Sequence, residues 1–177
     1  MKPLLFILAA AGLLAAQQLK LDLDRLAAKA SNAVDLSLSG STLQFAAKFL
    51  DGSDPDEARV KKLISGLQGI YIRSFEFKKD AQWAPADVDS VRGQLKAPEW
   101  SRILGYKSTE DGENAEVYMR MENQRITGVV ILATEPREFT VVNIVGPVDL
   151  DMLADLSGHL GIPQLEKAPA GKGRKED

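Results

Sequence analysis

The chain has 177 residues, with 22 Lys and Arg against 25 Asp and Glu, a formal charge of −3 and an isoelectric point near 5.3. That mild negative balance argues against a nucleic-acid partner, which leaves a basic footprint on its binding domain. There is no cysteine and a single histidine, His159, which excludes thiol catalysis, disulfide exchange, thiolate metal sites and any centre needing two imidazoles from one chain.

Met1-Lys2-Pro3 carries a positive charge, Leu4 to Leu14 is almost wholly apolar, and Ala15-Ala16 are small residues before Gln17. A basic start, a short apolar run and a small-residue exit form a secretory signal peptide, here cut after Ala16. The run is shorter than the roughly 20 apolar residues that span a bilayer. No cysteine follows it to carry a lipid, and no later segment is long and apolar enough to cross a membrane. The expected organisation is a signal peptide over 1–16, one domain over 17–165 and a disordered tail over 166–177. The tail has small, polar and charged residues and no large apolar one. The mature chain is expected in the periplasm or outside the cell, with no membrane span after cleavage.

Apolar residues then recur at helical spacing. Leu23, Leu26, Ala27 and Ala30 fall at i, i+3, i+4 and i+7, as do Leu43, Ala46, Ala47 and Leu50, and Val60, Leu63, Ile64 and Leu67. Asp54-Pro55-Asp56-Glu57 supplies an N-cap, a proline at the first helical position and a Glu at the third. Val88, Val91 and Leu95 form a shorter stripe opened by Pro85 and Asp87. Leu150, Leu153, Leu156 and Leu160 form the last, capped by Asp149.

The remainder reads as strand. Val34, Leu36 and Leu38 alternate with Asp35 and Ser37, and 70–77 is rich in β-branched and aromatic residues. Ala115, Val117, Met119 and Met121 alternate with Glu116, Tyr118 and Arg120, the pattern of a half-buried strand. Nearly continuous apolar runs at 126–133 and 139–145 suit central strands. Asp111-Gly112, Asn123 and Pro136 mark turns. The prediction is an α+β domain: a mostly antiparallel sheet ending in a four-stranded meander over 100–107, 114–121, 125–133 and 138–145, with the helices packed on one face.

Particular stretches carry a family resemblance. They are Leu26-Ala27-Ala28-Lys29-Ala30, the run from Gly69 to Phe77, Trp100 with Ile103-Leu104-Gly105-Tyr106, and Ile126-Thr127-Gly128-Val129-Val130 through Glu135-Pro136-Arg137-Glu138-Phe139 to Gly146-Pro147-Val148-Asp149-Leu150. Gly158-His159-Leu160-Gly161-Ile162-Pro163 closes the series. Together they resemble the bacterial family called domain of unknown function 4252, short exported proteins, over roughly residues 20–165. The resemblance implies one exported domain and brings no assigned reaction.

The chemistry-bearing residues have plain structural readings. His159 lies near the end of the last predicted helix, where a cation suits the dipole, and no Gly-x-Ser-x-Gly elbow offers it a nucleophile. Asp51, Asp54, Asp56 and Glu57 lack the spacing of a calcium loop and suit helix capping. Glu110, Asp111 and Glu113 fall in a hairpin loop. Asp149, Asp151 and Asp155 suit a helix start, although the Asp151 and Asp155 pair would welcome a cation. Arg73, Arg102, Arg120 and Arg125 fall in or beside strands and would form a groove for an acidic ligand if they shared a face. Trp100 begins a strand and suits the core. Trp83 lies in a loop and is, with Arg73, the candidate partner contact. No phosphate-cradling loop occurs, since Gly171-Lys172 lacks the required glycine and strand context.

No catalytic or metal-ligating residues and no cofactor are assigned. The leading expectation is a non-enzymatic binding or interaction domain of the bacterial envelope, its partner another envelope protein, including a component of a signalling system. The alternatives are a carrier of a small apolar ligand, which needs a closed apolar cavity of roughly 300 Å³ or more, and a carboxylate-based hydrolase, which needs two of these acids to converge in a pocket.

Overall fold

A computed structural model describes residues 19–148. The predicted signal peptide, the last helix with Asp149, Asp151, Asp155 and His159, and the tail over 166–177 lie outside the described residues. Within them the chain forms α1 (Asp24–Ala27), β1 (Asn32–Ser39), α2 (Gly40–Ala47), α3 (Pro55–Gly66), β2 (Gly69–Glu76), α4 (Pro85–Arg92), β3 (Trp100–Lys107), β4 (Asn114–Glu122), β5 (Arg125–Glu135) and β6 (Glu138–Val145). The six strands make one antiparallel sheet in the order β1-β2-β6-β5-β4-β3. The α+β class and the closing meander follow the prediction.

Local chemistry accounts for the element starts. Asp54 caps α3 by accepting the N–H of Asp56 at 2.8 Å and of Glu57 at 3.1 Å, with Pro55 at the first helical position. Ser39 accepts the Thr42 N–H and turns β1 directly into α2. At α4 the Asp87 carboxylate accepts the Ala84 N–H at 2.8 Å. This is half of a capping box, because Ala84 has no side-chain oxygen to reciprocate. Asn123 and Gln124 both adopt positive φ, 51° and 64°, the geometry of a two-residue type I′ hairpin that matches strand twist.

The helices do not share one face. Val130, Leu132, Phe139, Val141 and Tyr118 point to a first face, where they pack with Leu26 of α1, Val88 and Val91 of α4, and Trp100. Their sequence neighbours Val129, Ile131, Val142, Ile144 and Val117 point to the second face and pack with Leu43 of α2 and Leu63 of α3. The expectation of helices on one face is therefore corrected. β5 and β6 are apolar at both odd and even positions, so each face must be covered.

Two glycines allow this packing. A Cβ on Gly128 would come within 3.1 Å of the Trp100 ring, so the missing side chain admits the indole to the first face. Gly146, at φ +120°, lies where a Cβ would meet the Gln68 backbone nitrogen at 2.7 Å.

Phe139 is fully buried on the first face, with the Trp83 ring centred 6.2 Å away. Phe139→Ala should cost about 3–5 kcal/mol, read as a loss of urea midpoint at unchanged slope. A loss below about 0.5 kcal/mol, the range of an ordinary surface change, would show that this face is not one packed core.

Candidate functional site

Two places carry more than packing. The first is a charged cluster under α4. Glu116 of β4 lies on the first face between Gly105 and Leu132, with its side chain only 8 % exposed. Arg92, at the end of α4, reaches it with Nε at 3.1 Å and also with Nη2. The Tyr118 hydroxyl donates to Glu116 Oε2 at 2.6 Å, and Arg102 Nη1 stands 3.7 Å from Oε1. Burial alone would raise the Glu116 pKa. The hydrogen bonds from Arg92 and Tyr118 and the charges of Arg92 and Arg102 outweigh it, so the carboxyl sits below its ordinary range. Burial, then the hydrogen bond to Glu116, pushes Tyr118 up, and the bond to Glu116 pushes Arg92 up.

The cluster holds an ionised carboxylate in place and ties α4 to β3 and β4. Strand alternation placed Glu116, Tyr118 and Arg120 on an outward face. In the fold both sheet faces are covered, so Glu116 and Tyr118 are buried. The overlooked signal is Glu-x-Tyr-x-Arg at strand spacing opposite a helix ending in Arg92.

The second place is the outer edge of β1. This strand is a regular eight-residue edge whose residues are exposed almost throughout. Val34 is 51 % and Leu36 36 % exposed. Sheet edges are normally blunted by bulges, Pro or charged side chains, or covered by a helix or loop. β1 has no bulge, Pro, Lys or Arg, its one charge, Asp35, is paired with Arg73, no described strand lies outside it, and its pairing with β2 is uninterrupted. The opposite edge, β3, carries a bulge between Arg102 and Leu104 and ends in Lys107.

The residues singled out from the sequence fall as follows. Trp83 donates its indole N–H to the Glu135 carbonyl at 2.7 Å and packs half-buried against the first-face core. Arg73 pairs across the strand with Asp35 of β1, one strand in from the open edge. Arg73, Arg102 and Arg120 do share the first face but stand on different strands, each beside its own carboxylate: Asp35, Glu116 and Glu122. Arg125 lies apart, at the hairpin. No arginine groove results.

Trp100 is buried, as its strand-start position suggested. Asp51 accepts from Ser53, first through the backbone N–H and then through the hydroxyl, which lowers its pKa. Glu57 accepts the Asp51 N–H. Asp111 bonds Ser108 within the loop. Glu113 adds to a separate acidic grouping: burial, then Glu138 and Glu113, raise the pKa of Glu135. Among the described residues no three His, Cys, Asp or Glu side chains group closely enough for a metal ion. An open depression of about 430 Å³ is lined by Lys29, Ala30, Ser31, Lys78, Lys79 and Gln82. That lining is polar, unlike the closed apolar cavity an apolar ligand requires.

The profile of the family described as Domain of unknown function (DUF4252) matches residues 28–156. The chain belongs to this family. No curated protein matches the chain. The DUF4252 match takes in all six strands, so both the Glu116 cluster and the β1 edge lie within the family domain.

Glu116 gives a pH test. A carboxyl held low in the folded chain contributes stability above the unfolded value of about 4.3, and that contribution is lost as pH falls through the folded value. Urea midpoints of the wild type should fall on acidification through this range. Glu116→Gln should start lower at pH 7, by about 1–3 kcal/mol, and lose less on acidification. Parallel pH curves for the two proteins would show that Glu116 is not the linked group.

Proposed function

We propose that this chain is an exported, non-enzymatic interaction domain of the bacterial envelope, and that β1 is its binding element. The edge of β1, open and unblunted among the described residues, carries the reading. An exposed edge strand offers a row of backbone donors and acceptors, and a partner strand adds to it through the main chain, with alternate side chains setting specificity. Val34 and Leu36 provide those side chains on the second face.

Arg73 enters through its pair with Asp35. It neutralises the one charge on β1, so an incoming strand meets no lone carboxylate. Export is supported by the order of residues 1–16. No described helix is long and apolar enough to cross a membrane. The Glu116 cluster reads as a clamp, because each member is engaged by another.

Two measurements test this reading. Intact mass of the chain recovered from an envelope fraction should place its first residue at Gln17; a cytoplasmic chain still carrying Met1 would refute export. In capture from envelope extracts, Leu36→Lys should abolish specific recovery while the chain stays folded, at a cost of about 1–2 kcal/mol for the buried part of the side chain. Undiminished recovery by that variant would remove β1 as the binding element.

A further inference from the structure

We infer that the strand which adds to β1 is β1 of a second copy, paired antiparallel about a twofold axis at Leu36. This rests on the reading of β1 as the binding element and names its partner.

The hydrogen-bonding phase of β1 is fixed from the other side of the sheet. Phe77 N–H donates to the Arg137 carbonyl at 2.9 Å. In an antiparallel ladder, residues of one strand turn their backbone groups alternately to either neighbour. Odd residues of β2 therefore face β6 and even ones face β1. Through the register Val34 with Ser74 and Leu36 with Ile72, Val34, Leu36 and Leu38 turn their backbone groups inward. Ala33, Asp35, Ser37 and Ser39 turn theirs to the open edge.

A twofold axis perpendicular to the sheet keeps each side chain on its own face, which leaves few registers. With Leu36 opposite the second copy's Leu36, Val34 lies opposite Leu38 and Asp35 opposite Ser37. Every apolar residue of the second-face row then meets an apolar one, and the outward backbone groups of Ala33, Asp35, Ser37 and Ser39 form the bonded pairs. Moving the axis to Asp35 sets two carboxylates directly opposite, which is destabilising. Moving it to Val34 sets Leu36 against Asn32 and carries Leu38 past the start of the opposing strand. Moving it to Ser37 sets Val34 against Gly40, which has left the strand for α2. The strand is thus complementary to itself in one register. The row that is exposed in the single chain, Val34 and Leu36, is the row this pairing covers.

The native chain has no cysteine, so single-cysteine variants report this register without background. At the axis Leu36 forms a non-hydrogen-bonded pair, with Cα atoms about 4.5 Å apart, inside the range a disulfide accepts. Val34 shares the same face but lies four positions from its own copy, roughly 13 Å along the strand. On mild oxidation, Leu36→Cys should form covalent dimers at least tenfold faster than Val34→Cys. The mature wild-type chain at roughly 100 µM, where a micromolar contact is saturated, should sediment at twice the chain mass, and Leu36→Lys should shift it to the chain mass.

A wild type that stays at the chain mass, with both cysteine variants cross-linking alike, overturns pairing of copies. If Leu36→Lys nevertheless loses capture of an envelope component, β1 remains a binding edge for another protein. If that variant loses nothing, the edge reading falls as well. A dimer that persists in Leu36→Lys would place the contact elsewhere and overturn the inference.

Discussion

The fold depends on the pairing of β5 with β6 at the centre of the sheet. These strands are apolar at successive positions, so Val129 and Val130, or Val141 and Val142, send side chains to opposite faces. A sheet with such a centre cannot leave either face in water, since each buried aliphatic side chain contributes about 1.5–3 kcal/mol relative to exposure. The short helices are therefore divided. α1 and α4 cover one face, and α2 and α3 cover the other. Register is held by shape as much as by polarity, through the Asn123-Gln124 turn, the absent side chain of Gly128 under Trp100 and the tight approach of Gly146 to Gln68.

Covering the centre has different consequences at the two margins. Toward β3 and β4, the first face includes Glu116, and a buried carboxylate is tolerated only when charge and hydrogen bonds replace its water. Arg92, Tyr118 and Arg102 do so, and in doing so they tie the end of α4 to the sheet. The β3 edge is further broken by a bulge. Toward β1 there is no such network. α2 leaves the end of β1 at Ser39 and buries Leu43 and Ala47, while Phe45 on its outer side and Phe49 in the turn after it stand 61 % and 75 % exposed, ring against ring. Among the described residues the sheet is blunted at the β3 margin and unblunted at the β1 margin.

Most of the element order was legible because it rests on local physics. Period-3.6 stripes, the Asp54-Pro55 start and the apolar runs of β5 and β6 depend on near neighbours only. Which sheet face a helix covers is not local. Leu63 at helical spacing says that α3 buries a stripe, and the same stripe would suit either side. Glu116 was misread for a related reason: alternation with Val117 and Met119 looks the same whether the polar face meets water or a second layer of helices. The edge position of β1 was hidden too, because Val34-Asp35-Leu36-Ser37-Leu38 is the pattern of any half-buried strand. It is set by β2 inserting between β1 and β6, a pairing between distant parts of the chain. Trp83 and Arg73 have the residue types of partner contacts, and what occupies them inside the fold, Glu135 and Asp35, lies far off in sequence.

An open edge is hazardous, because strands can add to it without limit. The symmetry of the contact decides whether that happens. A head-to-tail addition would leave a fresh edge and continue, whereas an isologous one uses the same surface of both partners and stops. In the β1 pairing about Leu36 both β1 edges are consumed at once. The edges that remain are the two β3 strands, each carrying the bulge at Arg102 and Leu104 and the charge of Lys107. The blunted margin and the open one are then parts of a single arrangement: β3 terminates the joined sheet at each end, and β1 joins it in the middle. A chain that blunted both edges would have no use for the exposed row of Val34 and Leu36, and a chain that blunted neither would not stop at two copies.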